Sequence, residues 1–160
     1  MSAAQMTDPH TVGADREIVM TRLFNAPRER VFEAYGRPEH VDRWYGPRGF
    51  TTVTESMDFR PGGAWSFTMT GPDGTVYPNY VLYHEIDRPN RLVYDHGSSA
   101  QEPDLFHVTV TFTEEEGGTR VTHRSVFPTP EARAAVVRMG AIELGQQTLE
   151  KLGEHLSTME

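Results

Sequence analysis

The chain contains no cysteine, which excludes a disulfide framework, a thiolate metal site and a cysteine nucleophile. It has no Lys/Arg run, and 23 acidic residues outweigh 15 basic ones to give a net charge of -8. Such a surface offers no electrostatic footprint for a phosphate backbone or an anionic lipid, so nucleic acid and membranes are not expected partners. No apolar run approaches the roughly 18 to 20 residues that span a bilayer. The opening MSAAQMTDPHTVGAD lacks the basic and apolar blocks of a secretory signal and reads as a loose tail over residues 1–15. With the missing cysteines, this predicts a cytoplasmic protein. There are no internal repeats or low-complexity tracts, and the remaining residues 16–160 suit a single domain with one core.

What is present is ordered simply. REIVMTRLF, Arg16 to Phe24, reads as a first strand with poorly separated faces. NAPRERVFEAYG and RPEHVDRWYG then give two short helices, opened by Pro27 and Pro38 and stopped at Gly36 and Gly46-Pro47, with Val31 and Phe32 inward. From Phe50 the period becomes two: six strand candidates follow, divided by Arg60-Pro-Gly-Gly63, Gly71-Pro-Asp-Gly74, Asp87-Arg-Pro-Asn90, Gly97 to Pro103 and Glu114 to Gly118. Thr129-Pro130-Glu131 starts a long helix to about Leu156, with Ala135, Met139, Ile142, Gly145, Leu149, Leu152 and Leu156 on one stripe. Seven strands and one long helix must bury the stripe against one sheet face, which predicts an α+β two-layer domain.

Alternation assigns the inner face. Trp65, Phe67 and Met69 share one side of their strand, with Ser66 and Thr68 on the other. Val108, Val110 and Phe112 match Val121, His123 and Phe127, which turns His123 inward and His107 outward. TVYPNYVLYHEI has apolar residues at both parities. Tyr80, Leu82, His84 and Ile86 are taken as its inner set, followed by Leu92, Tyr94 and His96. The resulting surface mixes apolar bodies with phenol and imidazole tips, a composition suited either to a ligand cavity or to a core whose polar tips find partners.

APRERVFEAY, RPEHVDRWYGPRGF, DFRPGGAWSFTMTGPDGTVYPNYVLYHEIDRPNRLVY and TLEKLGEHL, in that order, resemble the domains related to the activator of the heat-shock protein 90 ATPase, in the START-like or SRPBCC superfamily. The likeness runs from about Glu17 to Leu156. It implies a helix-grip fold, in which a curved antiparallel sheet wraps the long C-terminal helix and two short helices close one end. It also implies that Trp44 and Tyr45 stand near an entrance, either walling a cavity or anchoring the short helices. Relatives often carry Gly-Trp where this chain reads Leu144-Gly145, so the missing ring is expected to enlarge a cavity beside Trp65 and Phe67.

Chemistry is harder to place. Seven histidines invite a metal proposal, but no HxxxH or HxH pair puts two on one face, and His84, His96 and His123 converge only if every register turns them inward. The serines lack a nucleophile elbow. Asp58 is expected to accept backbone N–H bonds at its turn, and Glu85 to pair with an arginine. No catalytic residue, metal or cofactor is therefore assigned. The expected function is binding of a small apolar or aromatic ligand between sheet and long helix, by Trp44, Tyr45, Trp65, Phe67, Met69, Tyr80, Leu82, Tyr94 and Phe127 beside Gly145, with His84 or His123 orienting a polar group. Two alternatives stay open: a co-chaperone-like interaction module, and a cavity enzyme of the cyclase or hydrolase type found in the superfamily. The sheet edges could also pair in a homodimer.

Overall fold

The computed structural model describes residues 14–159, and the segment expected as a tail lies outside them up to residue 13. Residues Ala14–Arg16 form a 3-10 turn that leads into β1 (Glu17–Phe24). The short helices are α1 (Arg28–Tyr35) and α2 (Pro38–Trp44). Six strands follow: β2 (Thr51–Met57), β3 (Ala64–Thr70), β4 (Val76–Asp87), β5 (Arg91–Gly97), β6 (Phe106–Glu115) and β7 (Gly118–Val126). They form a meander, and β1 closes it by pairing antiparallel with β7, so the seven-stranded sheet runs β1-β7-β6-β5-β4-β3-β2. The domain is an α+β helix grip. No helix among the described residues is long and apolar enough to cross a membrane.

The C-terminal helical region is not continuous. It comprises α3 (Pro130–Arg138) and α4 (Ala141–Leu156), divided at Gly140, whose φ of 89° is left-handed. Glycine adopts that conformation without a Cβ penalty, so Arg138-Met139-Gly140 acts as a helix stop. The single stripe expected from Ala135 to Leu156 is broken accordingly: Met139 is 75% and Ile142 39% exposed, whereas Leu149, Leu152 and Leu156 are buried. The N-terminal signal holds, since the Thr129 hydroxyl accepts from the Ala132 N–H at 3.0 Å.

The two faces of β1 separate in the fold. Ile18 and Phe24 are buried and Met20 packs on the core, while Val19 is 56% exposed. Met20 and Phe24 meet α4 at its two interior glycines. A Cβ on Gly145 would lie 2.5 Å from Met20 Cε, and one on Gly153 would lie 3.4 Å from Phe24 Cε1. Eight residues of helix span about 12 Å at ~1.5 Å each. Four residues of strand span about 13 Å at ~3.3 Å each. The two contacts therefore keep step along strand and helix, Met20 lying tightly against Gly145 and Phe24 at ordinary packing distance from Gly153.

The short helices are held by Trp44, which is fully buried and donates its indole N–H to the Ala34 carbonyl at 2.9 Å. Ala34 lies in the last turn of α1, where carbonyls have no intrahelical partner. Trp44 thus closes the C-terminus of one short helix from the C-terminus of the next. We predict that Trp44→Phe, which keeps a ring but leaves that acceptor unpaired, lowers unfolding stability by about 1–3 kcal/mol in urea titration.

Candidate ligand-binding site on the inner face of the sheet

The site grows from β3. Trp65 and Phe67 project inward and stack at 3.8 Å between ring centroids, and Tyr45 stands edge-on to both at 5.0 and 5.4 Å. Tyr45 has this position because α2 ends there: its backbone turns extended (φ -72°, ψ 134°), so its ring and that of Trp44 diverge. Trp44 goes to Tyr35 at 4.8 Å, behind the site. The following loop is tied down, with Thr52 Oγ1 donating to the Tyr45 carbonyl at 2.6 Å and Lys151 Nζ of α4 to the Gly46 carbonyl at 3.0 Å. Arg48 of the same loop also pairs with Glu154 of α4 at 2.7 Å.

Polar tips are distributed through this aromatic block. Tyr45 and Tyr94 share a side-chain hydrogen bond, and burial pushes the Tyr45 hydroxyl up to about 12 and that of Tyr94 well above its ordinary value. His96 Nε2 meets Asn79 Oδ1 at 2.8 Å, and His123 Nε2 meets the Tyr35 hydroxyl at 2.7 Å. Desolvation lowers both imidazoles from 6.5 to about 4. At neutral pH these phenols stay protonated and both histidines stay neutral. Phe106 continues the wall, stacked on His96 at 4.9 Å and on Phe127 at 5.2 Å.

Of the residues expected at the site, Tyr45, Trp65, Phe67, Met69, Tyr94, His123 and Phe127 lie on this inner side, with Trp44 behind them. Tyr80, Leu82 and His84 do not. Val81 and Tyr83 of β4 are the buried pair, at 1% and 2% exposure. Tyr80 lies opposite the outward Ser66, and Leu82 opposite Asp95. The cause is a bulge between Tyr83 and Glu85, which makes His84 the extra residue. Ile86 does face the core, but one inserted residue reverses the parity on its N-terminal side. His84 therefore cannot join His96 and His123, and sits outside against Asp95 and His107.

Gly145 is also reassigned. Its side of α4 is filled by the Met20 thioether, so the absent ring makes room for β1 and not for a cavity beside Trp65 and Phe67. Glu85 is paired with Arg91, as expected. Asp58 instead has its carboxylate on Arg60 Nε at 2.9 Å. The sequence reading missed Tyr35, Asn79, Phe106 and Met20. Tyr35 lies three residues after Phe32, one helical turn along, and could have been found by that spacing. Asn79 follows from Val81 once the parity of β4 is known.

A family model described as Activator of Hsp90 ATPase homolog 1-like protein matches residues 25–157, both short helices, six of the strands and all of α4. The chain belongs to that family. Among solved structures similar to this Activator of Hsp90 ATPase homolog 1-like chain, a Mycobacterium smegmatis protein is 28% identical at a TM-score of 0.83, covering 91% of this chain and 94% of its own. An Arthrobacter aurescens protein is 27% identical at 0.83, covering 91% and 88%. A Nitrosomonas europaea protein, at 24% identity and 0.84 over 92% and 97%, shares the fold. No curated protein matches the chain.

Two predictions arise from this geometry. Unfolded histidines take up protons near pH 6.5, whereas folded His96 and His123 do so only near 4. Unfolding therefore binds protons in that window, and stability that is complete above it falls as pH drops from about 6.5 towards 4, each group contributing at most about 1.4 kcal/mol per pH unit. Urea midpoints measured across that range should decline, and His123→Gln should flatten the slope. Separately, Met20→Ala should cost about 2 kcal/mol, the low end for a core methionine. Gly145→Ala should change stability by less than about 1 kcal/mol, since its Cβ meets only the end of a flexible chain and helix propensity improves; urea titration of both variants checks the pair.

Proposed function

We propose that this domain binds a small, uncharged, mainly aromatic or aliphatic molecule in a crevice between the inner face of β3–β7 and the helices α2 and α4. The observation that carries this reading is the double character of Tyr45 and His123. Both are crowded enough by protein for desolvation to push one up to about 12 and the other down to about 4, and both still keep solvent-accessible surface. Each therefore combines a polar tip set beside aromatic rings with surface that a ligand can touch. Met69 and Phe106, also on this wall, are only partly buried.

The chemistry of the wall favours a neutral ligand. Its phenols and imidazoles supply hydrogen bonds without charge, whereas an ionic group would lose hydration with no counter-charge to replace it. Aromatic faces around a few polar tips are the usual construction of a small-molecule site. Tyr45 and His123 would orient the ligand's polar group, with Trp65, Phe67 and Met69 against its body.

The test is a thermal-shift screen with neutral aromatic and aliphatic compounds, followed by calorimetry on the hits. A ligand at a hundredfold excess over its Kd should raise native stability by about 2.7 kcal/mol. Tyr45→Phe and His123→Phe should each weaken binding about tenfold, the value of one hydrogen bond of about 1.4 kcal/mol. Absence of any hit, or hits indifferent to both substitutions, would overturn the proposal and turn attention to the protein contacts suggested by the family's description.

A further inference from the structure

The outer face of the sheet carries a group of side chains that the inner-face crevice does not use. Asp95 of β5 lies directly opposite His107 of β6 in the strand register, and His84 is brought to its other side by the β4 bulge. His84 Nε2 is 2.8 Å from Asp95 Oδ2, and His107 Nδ1 is 2.8 Å from Asp95 Oδ1. The two rings lie 6.1 Å apart and are inclined by only 28°, with one donor nitrogen of each directed at the same carboxylate. One ligand atom from each of the three residues falls within 4.8 Å of the others.

We propose that His84, Asp95 and His107 bind a single divalent transition-metal ion of the zinc or cobalt type. Two imidazole nitrogens and one carboxylate oxygen suit such ions, whereas calcium and magnesium select all-oxygen donor sets. Ligands about 2.0–2.2 Å from a shared ion lie about 3–3.5 Å apart in tetrahedral geometry. The present contacts reach that arrangement by rotation of side chains, since the strands beneath are already locked by their ladder. His84 and His107 are 44% and 46% exposed, so ions can enter and the remaining coordination positions face water. A bulge that turns a histidine towards two ligands on neighbouring strands also gives a specific use for the irregularity in β4.

A second imidazole pair serves as the internal control. His40 Nδ1 and His155 Nε2 approach to 2.9 Å where α2 meets α4, without a carboxylate between them. The experiment titrates the full, tag-free chain with Co2+, read by visible absorption, and with Zn2+ against a chromogenic chelator. One equivalent should bind, and His84→Ala, His107→Ala and Asp95→Asn should each weaken it at least about tenfold, the lower bound for disturbing even an indirect partner of a metal. His40→Gln should leave it unchanged. Zinc-induced shifts of the His84 and His107 imidazole resonances in the unsubstituted chain provide a second reading that no folding defect can confuse. No binding of either ion, binding retained by all three ligand variants, binding lost in His40→Gln, or unshifted His84 and His107 resonances would overturn the proposal.

Discussion

The structure depends on how α4 is seated on β1. Met20 and Phe24 project from the same face of the strand and pack against α4 beside Gly145 and Gly153. The spacing agrees because eight helical residues and four extended ones cover nearly the same length. The helix is thereby seated on β1, and its Leu149, Leu152 and Leu156 are buried in the common core. The inner faces of β3 to β5 are left to be covered from elsewhere, and α2 supplies that cover with Tyr45.

Trp44 and Tyr45 are consecutive residues with different tasks. Trp44 is entirely buried and spends its one donor on the end of α1, which joins the two short helices into a unit. Tyr45, one residue later on extended backbone, reaches across to Trp65, Phe67 and Tyr94. Because its loop is bonded to both β2 and α4, the ring is fixed relative to sheet and helix together. The ring thereby has a fixed place in the aromatic block, whose polar tips are uncharged at neutral pH.

The distribution of charge follows the same division. Ion pairs such as Arg124 with Glu17, Arg120 with Glu115 and Arg91 with Glu85 lie on partly or fully exposed side chains, where each contributes little to stability. The inner layer relies on apolar burial and on neutral hydrogen bonds. His84, Asp95 and His107 belong to the outer layer, on the face of the sheet opposite the aromatic block.

Local rules were enough for the succession of elements along the chain, the antiparallel meander of β2 to β7, the proline-opened helices and the Thr129 cap, because these depend on turn chemistry, period and capping within a few residues; the pairing of β1 with β7 is a long-range contact they did not supply. They also placed Trp65, Phe67, Met69, Tyr94 and His123 correctly, on strands whose alternation is unbroken. They failed at His84, where an inserted residue has no mark in a stretch that is apolar at both parities, so counting back from Ile86 turned Tyr80 and Leu82 the wrong way. Gly140 did carry a readable stop signal, outweighed by the long apolar stripe around it. Gly145 carried none: a glycine on a helix declares that something comes close, and only the packing of strand against helix decides that the something is Met20. Sequence alone determined the elements and their order, since those are local; which faces meet, and which polar groups are brought together, was decided by tertiary packing that links residues up to 116 positions apart.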